Sequence, residues 1–84
     1  MKAKTNLVEL TLELTMAFEV KKVYYHDEAA TAATLEMRSG MMVLVENGDD
    51  GLNVKFGTLR GNAWTERMEN EAKVMMDILQ VSQV

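Results

Sequence analysis

Val8-Glu9-Leu10-Thr11-Leu12-Glu13-Leu14-Thr15-Met16-Ala17-Phe18-Glu19-Val20 decides how this chain is read, because large apolar residues fill every even position and only Glu, Thr and Ala the odd ones. Alternation at period two is the mark of a strand with one buried face. It would bury Val8, Leu10, Leu12, Leu14, Met16, Phe18 and Val20 and turn Glu9, Thr11, Glu13, Thr15 and Glu19 to water. Such a strand, about 7–25, outlasts the usual roughly five to six residues. It implies a bend, a second pairing partner or an edge that another chain can join. The adjacent charges Lys21 and Lys22 break the phase, and a bulge there lets Val23 and Tyr25 take over the buried side. A helix competes for the same stretch. Asn6 and Glu9 have capping-box spacing, and Leu, Glu, Met and Ala are good helix formers. A helix with this pattern would scatter apolar residues around its circumference, and on that ground the strand is preferred.

Outward from this stretch, Asp27 reads as an N-cap, Glu28 as first-turn acid, and the small-residue run Ala29-Ala30-Thr31-Ala32-Ala33 as a short helix ending at Gly40. Met41-Met42-Val43-Leu44-Val45-Glu46 and Leu52-Asn53-Val54-Lys55-Phe56 flank Asn47-Gly48-Asp49-Asp50-Gly51. Two β-rich runs around a Gly- and Asp-containing loop predict a hairpin over 41–56. A closing helix, about 63–81, follows the connector Gly57 to Asn62 and can be capped by Asn62 or Thr65. Its apolar stripe is Trp64, Met68, Ala72, Met75 and Leu79, widened by Val74 and Ile78. The fold expected is therefore a small two-layer α+β domain of order βαββα, an antiparallel sheet with helices on one face.

Eighty-four residues make one domain, 1–84. Pro and Cys are both absent, and without Cys the chain has no disulfide framework and no thiolate zinc site. A core of this size yields little net stability, so self-association is a natural supplement. Lys2 and Lys4 are followed by a stretch studded with Glu, which is no signal peptide, and no run approaches the roughly eighteen apolar residues of a membrane span. The expected setting is soluble and cytoplasmic, with the native start at Met1 and no membrane partner. The net charge of −4 is uneven: residues 1–42 carry five bases against six acids, residues 43–84 four against seven. Acidity weighs against a general phosphate binder.

No motif for chemistry survives inspection. His26 is the only histidine, and Asp27 beside it can orient it as a base, but there is no Cys nucleophile and no triad spacing. The loop 46–51 is rich in hard oxygen ligands. Aligned on Gly51 as the sixth position of a calcium loop, it puts Gly48 in a ligand slot and Gly57 where the closing Glu belongs. Gly57 and Gly61 lack the Gly-Lys-Ser/Thr ending of a phosphate loop. No catalytic, metal or cofactor-binding residue is assigned, no cofactor is expected, and the chain is read as no enzyme.

Binding candidates remain. Lys21, Lys22, Tyr24 and Tyr25 set bases beside aromatics, the combination that serves phosphate contact and base stacking on single strands. Arg60, Trp64 and Arg67 form a second candidate contact patch, since Trp and Arg are enriched at hot spots. Of the eight methionines, the neighbours Met41-Met42 and Met75-Met76 cannot both face the core, so one of each pair is left for the surface or an interface. In size and composition the chain is similar to small accessory proteins of phages and mobile elements, including inhibitors of bacterial defence enzymes such as anti-CRISPR proteins. The function expected is protein binding, a small regulator or inhibitor of a larger protein. The alternatives are a homodimer or larger homo-oligomer assembled through the first strand, and a nucleic-acid binder using Lys21, Lys22, Tyr24 and Tyr25.

Overall fold

A computed structural model describes residues 6–48 and 51–79, with the Arg60 side chain outside what is described. The order is α1 (Leu7–Ala17), β1 (Val20–Tyr25), β2 (Ala32–Met37), β3 (Met41–Gly48), β4 (Gly51–Thr58), a 3₁₀ turn (Leu59–Gly61) and α2 (Glu66–Leu79). The four strands form one antiparallel meander in sequence order. The class is the expected two-layer α+β; the order of elements differs from βαββα at two places.

The first difference is the opening stretch. Residues 7–17 are helix, and strand begins only at Val20. Asn6 fixes the start: its side-chain oxygen accepts the N–H groups of Val8 at 3.1 Å and Glu9 at 3.3 Å. Leu, Glu, Met and Ala dominate residues 7–17, and their summed propensity with this cap outweighs the alternation. Leu7, Thr11 and Leu14 then fall on one side at i, i+4, i+7 and are buried, with Leu10 and Phe18 packed beside them. Of the long first strand expected over 7–25, the strand that remains is β1, Val20–Tyr25.

The bulge expected at Lys21 and Lys22 is present, as a register shift between Val20 and Lys22 in the β1–β2 ladder. The second difference comes after β1. Asp27 organises a turn in place of a helix, accepting the Thr31 N–H at 3.0 Å and the Thr31 hydroxyl, while its own carbonyl accepts the Ala30 N–H at 3.2 Å. Ala30 sits at φ +52°, a left-handed position that a helix would not allow. Residues 32–37 are strand: Ala33, Leu35 and Met37 are buried and their neighbours half-exposed. Pairing on both sides overrides the helical preference of the alanines.

The hairpin is as expected and longer. Its ladder runs from Met41 opposite Thr58 to Gly48 opposite Gly51, so only 49 and 50 bridge it, and these lie outside the described residues. Thr65 caps α2, accepting the Met68 N–H at 3.2 Å. Met68, Ala72 and Met75 join Leu7, Leu14, Ala33, Leu35, Met37, Met41, Val43 and Val45 in one core cluster. Both helices therefore cover the same face of the sheet.

Candidate protein-binding surface

An α-helix advances about 100° per residue, so residues spaced by four form a stripe. On α1 the stripe Leu7, Thr11, Leu14 and Phe18 meets the core, and a second stripe, Val8, Leu12 and Met16, lies away from it. These three are 44, 59 and 89 % exposed. Glu9 and Glu13, both exposed, border the second stripe on one side. An apolar helix stripe ordinarily faces a core; of the two on α1, only the first is buried.

The core side of α1 is pinned by a polar contact. Thr11 is buried, its hydroxyl donates to the Val8 carbonyl at 3.0 Å, and it lies 2.7 Å from the Tyr25 hydroxyl. Tyr25 thus belongs to the helix-covered sheet face. Lys22 and Tyr24, by the alternation of β1, belong to the opposite face, with His26, whose Nε2 stands 2.7 Å from the Thr34 hydroxyl. Lys21 pairs with Glu36 at 3.4 Å. The proposed cluster Lys21, Lys22, Tyr24 and Tyr25 is thus divided between the two sheet faces, and one of its bases carries a carboxylate partner.

Trp64 is 43 % exposed in the segment leading into α2, and its indole N–H donates to the Glu69 carboxylate at 2.7 Å. It does not anchor the core stripe of α2, and Val74 and Ile78, expected to widen that stripe, are exposed. Arg67 reaches Glu19 at 2.7 Å, tying α2 to the α1–β1 connector. Arg60 lies in the 3₁₀ turn, and its side chain is outside the described residues. Of the methionine pairs, Met41 and Met75 are buried while Met42 and Met76 are half-buried.

Chemistry on the described surface is limited. Among the described residues no three of His, Asp and Glu gather as metal ligands, and no helix is long and apolar enough to cross a membrane. Asp49 and Asp50, part of the calcium-loop reading, lie outside the described residues. The Asp27 carboxyl is held below its ordinary value, chiefly by the hydrogen bond from the Thr31 hydroxyl and then by the Thr31 N–H, with His26 a smaller contributor. Those bonds hold the turn between β1 and β2.

The stripe Val8, Leu12 and Met16 is the feature that reading the sequence as a strand assigned to the core. The signal that would have found it was the Asn6 cap together with four leucines in eleven residues. No protein-family model, curated protein or solved structure matches the chain.

Proposed function

We propose that this chain is a non-enzymatic protein-binding module, a small regulator or inhibitor that acts by occupying a surface on a larger protein. The observation that carries the reading is the second apolar stripe of α1, laid on solvent and bordered by Glu9 and Glu13. Anchors at i, i+4 and i+8 fit the helix-in-groove mode of recognition. The matching partner surface is an apolar groove with a basic rim, against which the two glutamates are complementary.

Magnitudes make this workable. Burying a large aliphatic or Met side chain fully is worth about 1.5–3 kcal/mol. Three half- to fully exposed anchors gain roughly that each at best, set against the association cost of about 4–15 kcal/mol. Affinity therefore requires contacts from the flanks as well, and Glu9 and Glu13 are placed to make them.

The test uses Leu12→Lys and Met16→Glu, both at exposed positions where the fold is not at stake. Wild-type protein, tagged and passed over a lysate of its host, should retain a stoichiometric larger protein in native mass spectrometry, and both variants should lose it. A partner retained equally by the variants would refute the α1 surface. Nucleic acid eluting with salt in place of protein would return weight to Lys22 and Tyr24.

A further inference from the structure

Among the described residues β1 and β4 are the edge strands of the sheet, and they are not treated alike. β1 carries the defences usual on an edge: a register break at its start and the adjacent lysines 21 and 22. β4 carries neither. It pairs with β3 residue for residue over its whole length, with no bulge and a strict apolar alternation Leu52, Val54, Phe56.

The ladder phase shows which backbone groups of β4 point away from β3. The Asn47 N–H bonds to the Thr31 carbonyl of the segment leading into β2, so the alternate β3 residues 46, 44 and 42 face β4. Their partners are Asn53, Lys55 and Gly57. By alternation, the N–H and C=O groups of Leu52, Val54 and Phe56 point away from β3, out of the sheet. Beside them, α2 and β4 enclose an open groove of about 320 Å³ lined by Val54, Phe56, Ala72 and Met76, with Glu69 and Lys73 among its walls.

We infer that two copies of this chain join β4 to β4 across a two-fold axis, making one continuous sheet and merging the two grooves under the paired α2 helices. The strand is self-complementary in one register. Pairing centred on Lys55 would set two lysines directly opposite each other, and pairing centred on Asn53 shortens the overlap. Centring on Val54 sets Leu52 against Phe56 of the second copy on the core side. On the other side it sets Asn53 against Lys55, with no like charges opposed. Each groove brings one acid and one base, so closing the seam opposes no net charge. This surface is separate from α1 and does not rest on the function proposed above.

Sedimentation equilibrium of the full chain over a concentration series, with circular dichroism, tests it. Wild type should be a dimer. Val54→Pro should be a folded monomer, because the only backbone donor that the proline removes is an outward N–H, and its loss pre-empts the seam. Asn53 is exposed, and its substitutions test the register without threatening the fold. Asn53→Lys should weaken the dimer and Asn53→Glu tighten it, each by about 2- to 30-fold across the two symmetric pairs. Within one copy Asn53 lies opposite Glu46, so intrinsic stability should move the other way, separating a seam effect from a folding effect. Leu12→Lys should leave the dimer intact. A wild-type monomer at concentrations near 1 mM, a dimer indifferent to charge at position 53, or a dimer lost with Leu12→Lys and kept with Val54→Pro would each overturn the inference.

Discussion

Thr11 is the only fully buried polar residue among the described ones, and its two contacts assign it a task that its sequence position hides. The Val8 carbonyl satisfies it within the helix, while the Tyr25 hydroxyl crosses from α1 to the sheet. Tyr25→Phe should cost about 0.5–1.5 kcal/mol, the net worth of one hydrogen bond, since Thr11 keeps its helical partner. A double-mutant cycle with Thr11→Val, read by denaturant unfolding, should give a coupling of the same size; zero coupling would mean the two hydroxyls do not meet. Asp27 makes a different claim. Its carboxyl sits below the ordinary value of about 3.9 because Thr31 hydrogen bonds favour the charged form. A depressed carboxylate stabilises the native state fully above the unfolded value, and that contribution fades as pH falls through the folded one. The β1–β2 turn should therefore loosen only in acid below about pH 4. The Thr31 amide resonance, followed by NMR from pH 6 downward, should shift with a midpoint under that of a free aspartate, and Asp27→Asn should abolish the titration.

Residues 8–20 show what alternation can and cannot say at the scale of an element. In a strand Leu12 and Leu14 share a face; in a helix they stand about 200° apart. Leu14 is fully buried and Leu12 mostly exposed, as the helix requires. Leu14→Ala should cost about 2–5 kcal/mol by removing core contacts, and Leu12→Ala less than about 0.5. Equal losses in thermal or denaturant unfolding would restore the strand. Asn6→Ala should cost about 1 kcal/mol by stripping the cap. The hairpin and α2 were legible because each had independent signals in agreement: turn residues with β-rich flanks in one, a cap with a period near four in the other. At α1 and β2 the signals conflicted. Apolar residues were plentiful enough in α1 to mimic a strand, and Ala29 to Ala33 offered helix propensity that β1 and β3, pairing on both sides, override. The apolar surface on α1 was invisible for the same reason: assigning the element the wrong period assigned all seven apolar residues to the core.

The molecule as a whole is held by one shared core. The sheet's covered face receives Leu7 and Leu14 from one helix and Met68, Ala72 and Met75 from the other, with Leu35 and Val43 opposite each other in the central strands. Among the described residues two ion pairs stand at the surface, Lys21 with Glu36 and Arg67 with Glu19, and the second contributes at the level of an exposed pair, about 0–1 kcal/mol. Arg67 and Glu19 are both more than half exposed, and salt screens such a contact. Salt also screens the self-repulsion of a chain with net charge −4, which acts in the opposite sense. The two effects should nearly cancel, so 1 M NaCl should move unfolding stability by less than about 1 kcal/mol. Leu35→Ala should instead remove about 2–5 kcal/mol, a large share of the total of roughly 5–15 available to a domain. Urea unfolding of both proteins at low and high salt ranks the effects directly. A core variant milder than the salt effect would show that charge, and not the packing of two helices on one sheet, determines this fold's stability.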